Sequence, residues 1–413
     1  MITVLTKGRL LDCVGNEPLE NASVVIEDGD IKDVYSGEKP LPQEATVIDV
    51  GGRTIMPGLI DAHMHVAYTY PNISQQFQDP PIVTALLIKD NCERILQAGF
   101  TSVYDMGMAN QALKKAIEDG IIKGPRLHIC NSMLSPTAGH SDFYNPVTRT
   151  GVPEDIGLYA MPRIVDGIDD ARKVAREQFR AGADCLKATV TGGVVSPHDE
   201  VWHVQFSEGE LRAFVEEAED VGKYLAVHAE GLEGAKRALK CGAKAIHHVF
   251  YCDDEFIQML KEKDAFHVPT LTVMVKALVE YSDEIAWPAY TKTKRESLKK
   301  IIPEMMQTTE RIIKSGCNVG SGSDLIGRIP MEGWEIKLKT ECGMTPYQAI
   351  KSATVVNAKL FKMENSIGTI EVGKWADIIV VDGHPDEEAI ILAEPNNVRL
   401  VMKRGDIFKN TIT

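Results

Sequence analysis

Short apolar runs of four to eight residues alternate with longer stretches of helical periodicity through the middle of the chain, and this alternation limits the possible folds most. It is typical of βα units around a parallel sheet. At four junctions a glycine ends a periodic stretch, where a left-handed residue is favoured, and an apolar run follows at once. These are Gly99, Gly182, Gly242 and Gly316, which are separated by 83, 60 and 74 residues. About two βα units fit each interval, so the glycines are expected to precede every second strand.

Eight strands follow from this count, and they predict an α/β chain with a (β/α)8 TIM-like barrel. Ser207 and Glu210 form a capping box ahead of an apolar run, which predicts a helix after the fourth strand. The predicted strands lie near residues 58–66, 101–107, 126–134, 184–190, 224–230, 245–250, 266–273 and 318–324.

Both ends of the chain are β-rich and lack the helical stretches of the middle. Asp28-Gly29 stands between β-rich flanks and predicts a hairpin, and residues 376–383 and 398–402 are expected to form strands. We therefore expect residues 1–56 and 366–413 to form one small β-sandwich domain beside a barrel of residues 57–365. A length of 413 residues suits such a chain.

Charge and cysteine usage limit the partners and the compartment. The 59 acidic and 45 basic residues give a net charge of −14, a field that repels nucleic acid and anionic membranes. The eight cysteines form no CxxC pair, which favours reduced thiols, and the chain shows neither a signal-like start nor an apolar run that could cross a bilayer. We expect a cytoplasmic homo-oligomer with neither nucleic acid nor a membrane as its partner.

Ionisable residues concentrate at the ends of the predicted strands, where TIM barrels carry their active sites. His63 and His65 end the first strand, and the two-residue period of a strand directs both to one side. A lone histidine is more often an ordinary polar residue, but burying so many unpaired polar groups would be costly. The others are Lys187, His228, His247, His248 and Asp324. Five histidines have no comparable placement, and we take them as ordinary polar residues: His128, His198, His203, His267 and His384.

Two motifs carry a resemblance to a known family. The run Pro57-Gly-Leu-Ile-Asp-Ala-His-Met-His65 matches the Pro-Gly-Leu-Ile-Asp-x-His-x-His motif of the amidohydrolase superfamily, which the whole chain resembles. The run Leu186-Lys-Ala-Thr-Val-Thr-Gly-Gly193 is similar to its prolidase-like and imidazolonepropionase-related branch with two metals. The resemblance implies that Lys187 is carboxylated by CO2 to N6-carboxylysine, an anionic bridge between the ions. An unmodified lysine in an ion pair is the alternative.

The same resemblance implies the metal ligands. The first ion would be held by His63, His65, Lys187 and Asp324, and the second by Lys187, His228 and His248. Nitrogen and oxygen ligands suit zinc, with manganese or cobalt as alternatives. His248 matches the ligand position of the family and His247 replaces its usual glutamate. Strand alternation directs only one of the two inward and leaves open which one. On the resemblance we take His248 as the ligand, with His247 either supporting the ligands or facing the helices.

The implied activity is metal-dependent hydrolysis of an amide bond. A hydroxide that bridges the metals would attack the carbonyl, and Asp324 would take its proton as general base and pass it to the amine. A helix N-cap is the alternative role for Asp324. We expect a dipeptide of the Xaa-Pro type or an N-acyl amino acid as substrate. The alternatives are a hydrolase of small cyclic amides, carbamates or urea-type compounds, a deaminase with one metal, and an inactive relative of the family.

Three residues are candidates for substrate binding. His140 resembles the Gly-Gly-His segment that faces the substrate in this family, although a solvated turn is the alternative. Arg328 could bind a carboxylate with two hydrogen bonds, or be an ordinary surface arginine. Glu230 lies two residues beyond His228 on the same strand face, where several peptidase relatives carry an aromatic residue. That departure leaves the specificity open.

Overall fold

The computed structural model describes residues 1–71, 73–144, 157–196, 199–280 and 292–412. Within these ranges the chain has one mixed sheet built from its two ends, and two parallel sheets built from its middle. This is the α/β organisation with a parallel sheet that the sequence predicts. His198 lies outside the described residues.

The strands share their positions with the apolar runs of the sequence. In chain order they are β1 (Ile2–Leu10), β2 (Leu19–Glu27), β3 (Asp30–Ser36), β4 (Thr46–Asp49), β5 (Thr54–Pro57), β6 (Leu59–Met64), β7 (Phe100–Asp105), β8 (Arg126–Ile129), β9 (Met133–Ser135), β10 (Arg163–Ile164), β11 (Leu186–Thr189), β12 (Leu225–Ala229), β13 (Ala245–His248), β14 (Phe266–Val268), β15 (Asn318–Val319), β16 (Ile378–Val381), β17 (Val398–Lys403) and β18 (Asp406–Asn410). Each of the eight strand segments predicted for the middle of the chain overlaps an observed strand, and the third contains β8 and the start of β9.

The helices lie mostly between parallel strands. They are α1 (Ile73–Gln76), α2 (Pro81–Gln97), α3 (Gln111–Glu118), α4 (Ile168–Arg180), α5 (Glu208–Asp220), α6 (Leu232–Cys241), α7 (Asp254–Glu262), α8 (Leu278–Glu280), α9 (Lys292–Lys314), α10 (Trp334–Glu341), α11 (Pro346–Lys351) and α12 (Asn357–Leu360). Helix α5 begins with the predicted capping box of Ser207 and Glu210. No helix in the described part of the chain is long and apolar enough to span a membrane.

The terminal sheet joins the two ends of the chain. Its strands run in the order β18-β17-β16-β5-β1-β2-β3, and β4 pairs with β1. The antiparallel pairing of β5 with β16, in which Met56 lies opposite Ile379, links the first sixty residues to the last forty. The predicted hairpin is present between β2 and β3, where Asp28 and Gly29 have φ values of 53° and 86°. Both values suit the two-residue turns that match the twist of a hairpin.

The parallel sheets have the orders β6-β7-β8 and β10-β9-β11-β12-β13-β14-β15. The four junction glycines precede β7, β11, β13 and β15, as expected for every second predicted strand. Their φ values are 97° for Gly99, 88° for Gly182, 105° for Gly242 and 78° for Gly316. Each is therefore left-handed, which lets the chain turn directly from a helix into a strand.

The two faces of the larger parallel sheet are buried by different partners. Leu186 and Ala188 of β11 pack into a cluster that includes side chains of α4 to α7. Cys185 belongs to a separate cluster that joins inner residues of several strands, including Ala226 and Ala245. Because side chains alternate along a strand, Lys187 lies on the face opposite the helices. This inner face is where the candidate site lies.

Candidate metal centre

Three of the predicted ligands converge at the end of β6 and in the segment that follows β15. The Nε2 atoms of His63 and His65 lie 3.2 and 3.1 Å from Oδ1 of Asp324. Their ligand atoms all lie within 4.8 Å of one another, the spacing of a site that could hold a metal ion. The two histidines are buried, and the Asp324 side chain is 14% exposed.

A change of register in β6 turns both histidines inward. Ile60 and Ala62 pack in the inner cluster, whereas Met64 packs on the outer side. The pairing of β6 with β7 shifts between Asp61 and Met64. This irregularity reverses, just before His63, the side of the sheet to which successive side chains point. His63 and His65 consequently share one side, as the sequence predicts, although the regular alternation from Ile60 alone would direct them away.

Asp324 is fixed by backbone geometry as well as by its neighbours. Its φ is 54°, and its amide donates to the His63 carbonyl at 2.6 Å. Burial would raise the pKa of Asp324, but the hydrogen bond from His65 and the charges of His248, His65 and Lys187 lower it to about 2. The carboxylate is therefore ionised and available as an oxygen ligand.

Hydrogen bonds to the first two histidines orient their rings. His65 Nδ1 lies 3.2 Å from the carbonyl of Gly107, which can only accept, so Nδ1 carries the proton. Burial opposes protonation of the ring, but the hydrogen bond to Asp324 raises the pKa of His65, so without a metal Nε2 also carries a proton and donates to the carboxylate. Once that proton is lost, the lone pair of the neutral ring is on Nε2, on the side of Asp324. His63 Nδ1 lies 2.8 Å from Nδ1 of His247. Such partners on the far nitrogen are typical of metal-binding histidines.

His228 and His248 lie beside this cluster. Their ring centres are 4.5 Å apart, and the His248 ring centre is 5.1 Å from that of His63. Burial lowers the pKa of each ring well below its ordinary value, and the positive charge of Lys187 lowers both further. Neutral imidazole is the form that binds metals.

Lys187 is buried within the same cluster. Its side chain lies among the inner residues at 2% exposure, and Nζ makes no hydrogen bond to the described residues. Burial lowers the pKa of Lys187 to about 8, partly opposed by the charge of Asp324. An ammonium group left without partners in such a position would be costly. We therefore expect the positive charge of this nitrogen to be neutralised.

Both adjacent histidines of β13 enter the site, where strand alternation predicts only one. His247 follows the inner Ala245 by two residues and contacts His63. His248 would face outward in a regular strand, but its φ of 78° ends the strand and turns the ring inward. Left-handed φ at a residue other than glycine costs about 1–3 kcal/mol and persists only where the surrounding structure enforces it. His248, Thr270 and Asp324 all share this feature.

Two of the three predicted substrate-binding residues lie beside His228. The His140 ring stacks on it with centres 3.9 Å apart, and Glu230 Oε1 lies 3.9 Å from its Nε2. Gly193 makes this arrangement possible, since a Cβ atom there would lie 2.4 Å from the His140 ring and 2.8 Å from Glu230. Arg328 is exposed, and no hydrogen bond or ion pair connects it to the cluster among the described residues.

Several residues that shape the site carry no motif in the sequence. Asp61 accepts from the backbone amides of His63 at 2.8 Å and of Ser323 at 3.2 Å, which ties together the segments that bear His63 and Asp324. Thr270 contacts His248, and Glu335 binds the backbone that follows Thr270. Asp61 belongs to the His-x-His motif and could have been noticed there, but only the folded chain brings Glu335 to this position.

Comparison with known proteins gives one consistent result. Ochratoxinase from Aspergillus niger is 32% identical over 99% of this chain and 87% of its own. A prolidase solved with N-methylphosphonate-L-proline has 34% identity and a TM-score of 0.92, covering 99% of this chain and all of the other. A Xaa-Pro dipeptidase structure has 30% identity and a TM-score of 0.88 with the same coverage. Imidazolonepropionases also match, at 22% for that of Geobacillus sp..

The model of the Amidohydrolase family matches residues 54–408, which include the parallel sheets, the inward-facing histidines of β6 and the carboxylate of Asp324. The chain therefore belongs to the amidohydrolase family.

Proposed function

We propose that this protein is a metal-dependent hydrolase that cleaves the amide bond of a Xaa-Pro dipeptide or of an N-acyl amino acid. The observation that carries the proposal is the convergence of His63, His65 and Asp324 beside three further buried groups, Lys187, His228 and His248. Six side chains with metal-binding chemistry on one inner face have no simpler explanation in packing.

The residues fit two divalent ions, with zinc the first choice and manganese or cobalt as alternatives. His63, His65, Lys187 and Asp324 would hold one ion, and Lys187, His228 and His248 the other. Lys187 can serve both only as a carbamate, in which its neutral amine bonds to the carbon of CO2 and releases a proton. The lowered pKa of Lys187 supports this, because about 8 leaves some of the amine neutral near pH 7.

The ions, when bound, would supply a water of lowered pKa and polarise the amide carbonyl. A side chain of the protein would transfer the proton. Asp324 lies between His63 and His65, and its carboxylate would accept the proton of the attacking water and deliver it to the departing nitrogen. The hydrogen bonds that His65 donates to the Gly107 carbonyl and His63 donates to His247 would leave Nε2 of both rings for the metal.

The relatives support the substrate class, because a prolidase and a Xaa-Pro dipeptidase align over almost the whole chain. His140 and Glu230 would contact the substrate beside His228, and Arg328 would do so only if the loop after β15 moves. A second candidate is a small cyclic amide, carbamate or urea-type compound. The buried carboxyl group of Glu230 favours it, since in its ionised form it would repel the carboxylate of a dipeptide.

The proposal includes the architecture of the chain. We infer that the parallel sheets close as a (β/α)8 barrel over residues 57–365, beside a β-sandwich of residues 1–56 and 366–413. The Ala62 amide donates to the Ser321 carbonyl at 2.8 Å, and the Asp184 amide donates to that of Ile129 at 2.7 Å, so both edges of the smaller sheet join the larger one. The proposal also includes a homo-oligomer and a cytoplasmic location, and the eight free cysteines support the location.

One experiment tests the function directly. The purified, zinc-loaded protein is assayed against Xaa-Pro dipeptides, N-acyl amino acids, cyclic amides and ureas, and its metal content is measured. We expect about two metal ions per chain and hydrolysis of the first or second class. Hydrolysis of cyclic amides or ureas alone would select the second candidate. Less than one metal ion per chain, without hydrolysis of any class, would identify an inactive relative.

A further inference from the structure

The hydroxyl group of Thr270 determines which nitrogen of His248 carries the proton. His248 Nδ1 lies 2.7 Å from Thr270 Oγ1, and that hydroxyl donates its only proton to the Pro269 carbonyl at 2.7 Å. The Thr270 oxygen can therefore only accept from the ring, so Nδ1 of His248 is protonated. The lone pair of the neutral ring is left on Nε2.

Thr270 holds this position in a backbone conformation that its side chain disfavours. Its φ is 55°, which is unusual for any residue other than glycine and more so for a β-branched one. The residue is fully buried after the end of β14. Such a conformation persists only where the surrounding structure enforces it.

The enforcement comes from Glu335 on α10. Its two carboxylate oxygens accept from the amides of Leu271 at 3.1 Å and Thr272 at 2.7 Å, the two residues that follow Thr270. The Thr272 hydroxyl donates to the same carboxylate at 2.8 Å. Glu335 is 1% exposed, so water does not compete for these hydrogen bonds.

Lys339 balances the buried charge of Glu335. It stands one helical turn further on α10 and is fully buried. Its ammonium group donates to the Gly320 carbonyl at 3.3 Å and to the hydroxyl of Ser352. Gly320 begins the segment that ends at Asp324, so Lys339 contacts the backbone that leads to Asp324, whereas Glu335 contacts the backbone that follows Thr270.

We propose that Glu335 is a positioning residue which, through Thr270, fixes the tautomer and the direction of His248 for metal binding. Glu335 does not touch the candidate ligands itself. The inference rests on the proposed function only in assigning a metal to His248. The tautomer that it specifies is a property of the chain alone.

The first test measures that tautomer without metal. Nitrogen NMR of the metal-free protein, with labelled histidine and a His248→Asn variant for assignment, should find Nδ1 protonated in the natural sequence. Thr270→Val keeps the shape but removes the hydroxyl, and should give a mixture of tautomers, whereas Thr270→Ser should restore the natural one. Thr309→Val is the matched control, because Thr309 is equally buried but bonds within α9. An unchanged tautomer in Thr270→Val would overturn the proposal.

The second test follows zinc. Thr270→Val and Glu335→Gln should each weaken binding of one zinc ion about 10- to 100-fold, as is typical when a group that orients a ligand is lost. If Glu335 acts through Thr270, the double variant should be no weaker than the more affected single variant. Additive losses of zinc affinity would show that Glu335 does not act through Thr270, and would overturn the proposal. If the natural protein binds fewer than two zinc ions, the proposed function fails, while the NMR measurement still decides the role of Thr270.

Discussion

His63 Nδ1 lies 2.8 Å from Nδ1 of His247, a distance at which one nitrogen must donate and the other accept. If His63 is to offer Nε2 towards Asp324, its Nδ1 carries the proton and His247 accepts it. His247 then carries its own proton on Nε2, which makes no hydrogen bond to the described residues. The ring is therefore assigned as the acceptor that orients His63.

Substitution of His247 tests this assignment. In His247→Leu the acceptor is lost, and we expect zinc affinity at the His63 site to fall about 10- to 100-fold. His247→Asn is the matched variant, because its amide oxygen can take the place of Nδ1, and it should retain most of the affinity. Competition with a chelator measures both. Equal zinc affinity in His247→Leu and the natural protein would show that His247 has no orienting role.

Much of the fold could be predicted from local sequence, because each signal there acts within a few residues. Gly99 and Gly182 mark turns that need a left-handed residue, and the alternating runs define the strands between them. The pairing of β5 with β16 is a long-range contact, yet the β-rich composition of both ends indicated that they differ from the middle. Short strands such as β10 carry no such signal and were not predicted.

The site was less predictable where backbone conformation departs from the regular strand. Alternation allowed only one of His247 and His248 to face inward, but the left-handed φ of His248 brings both into the site. No rule for strands predicts such a conformation at a histidine. Glu335 is 65 residues from Thr270 in the sequence and acts on the backbone rather than on a motif, so only the folded structure reveals it.

The buried ring of His267 should make stability depend on pH. Burial lowers its pKa to about 4, and neither ring nitrogen makes a hydrogen bond of normal geometry to a described residue. An unfolded histidine titrates near 6.5, so below that pH the unfolded chain binds a proton that the folded one does not. Stability is therefore lost as the pH falls from about 6.5 towards 4, by roughly 2 kcal/mol at pH 5.

The substitution His267→Leu removes this titration. Between pH 7.5 and pH 5, the free energy of unfolding of the variant should therefore fall by about 2 kcal/mol less than that of the natural protein. Urea unfolding at the two pH values measures the difference. Both proteins are compared without metal, so that loss of zinc in acid does not contribute. An equal loss in the two proteins would contradict a buried neutral His267.

Gly193 should be required for the arrangement of His140 and Glu230. In Gly193→Ala the added methyl group would overlap the His140 ring, which must then move, and overpacking of this kind costs about 1–3 kcal/mol. We expect kcat/KM on the best substrate to fall about tenfold or more, with zinc content unchanged. Gly15→Ala is the control, since the nearest atom to its Cβ would be 3.7 Å away. A normal kcat/KM in Gly193→Ala would show that His140 does not contribute to substrate binding.

Lys187 distinguishes a centre with two metals from one with a single metal. Its Nζ is buried without a hydrogen bond to the described residues, and only a carbamate would make it an anionic ligand for two ions. Lys187→Ala should therefore lose at least one metal ion. Turnover should fall by more than about a hundredfold, beyond the loss expected for a residue that only orients a ligand. Circular dichroism should remain unchanged, because apolar layers form the core around it.

Rescue separates the charge of the carbamate from its volume. A short carboxylic acid such as propionate should restore part of the metal content and turnover of Lys187→Ala, whereas propanol, which has a similar size and no charge, should not. The natural protein grown with carbon-13 bicarbonate should also show a carbamate carbon signal that Lys187→Ala lacks. Two metal ions per chain and near-normal turnover in Lys187→Ala would refute the carbamate, because the second ion would then be held without the bridge that this lysine alone can supply.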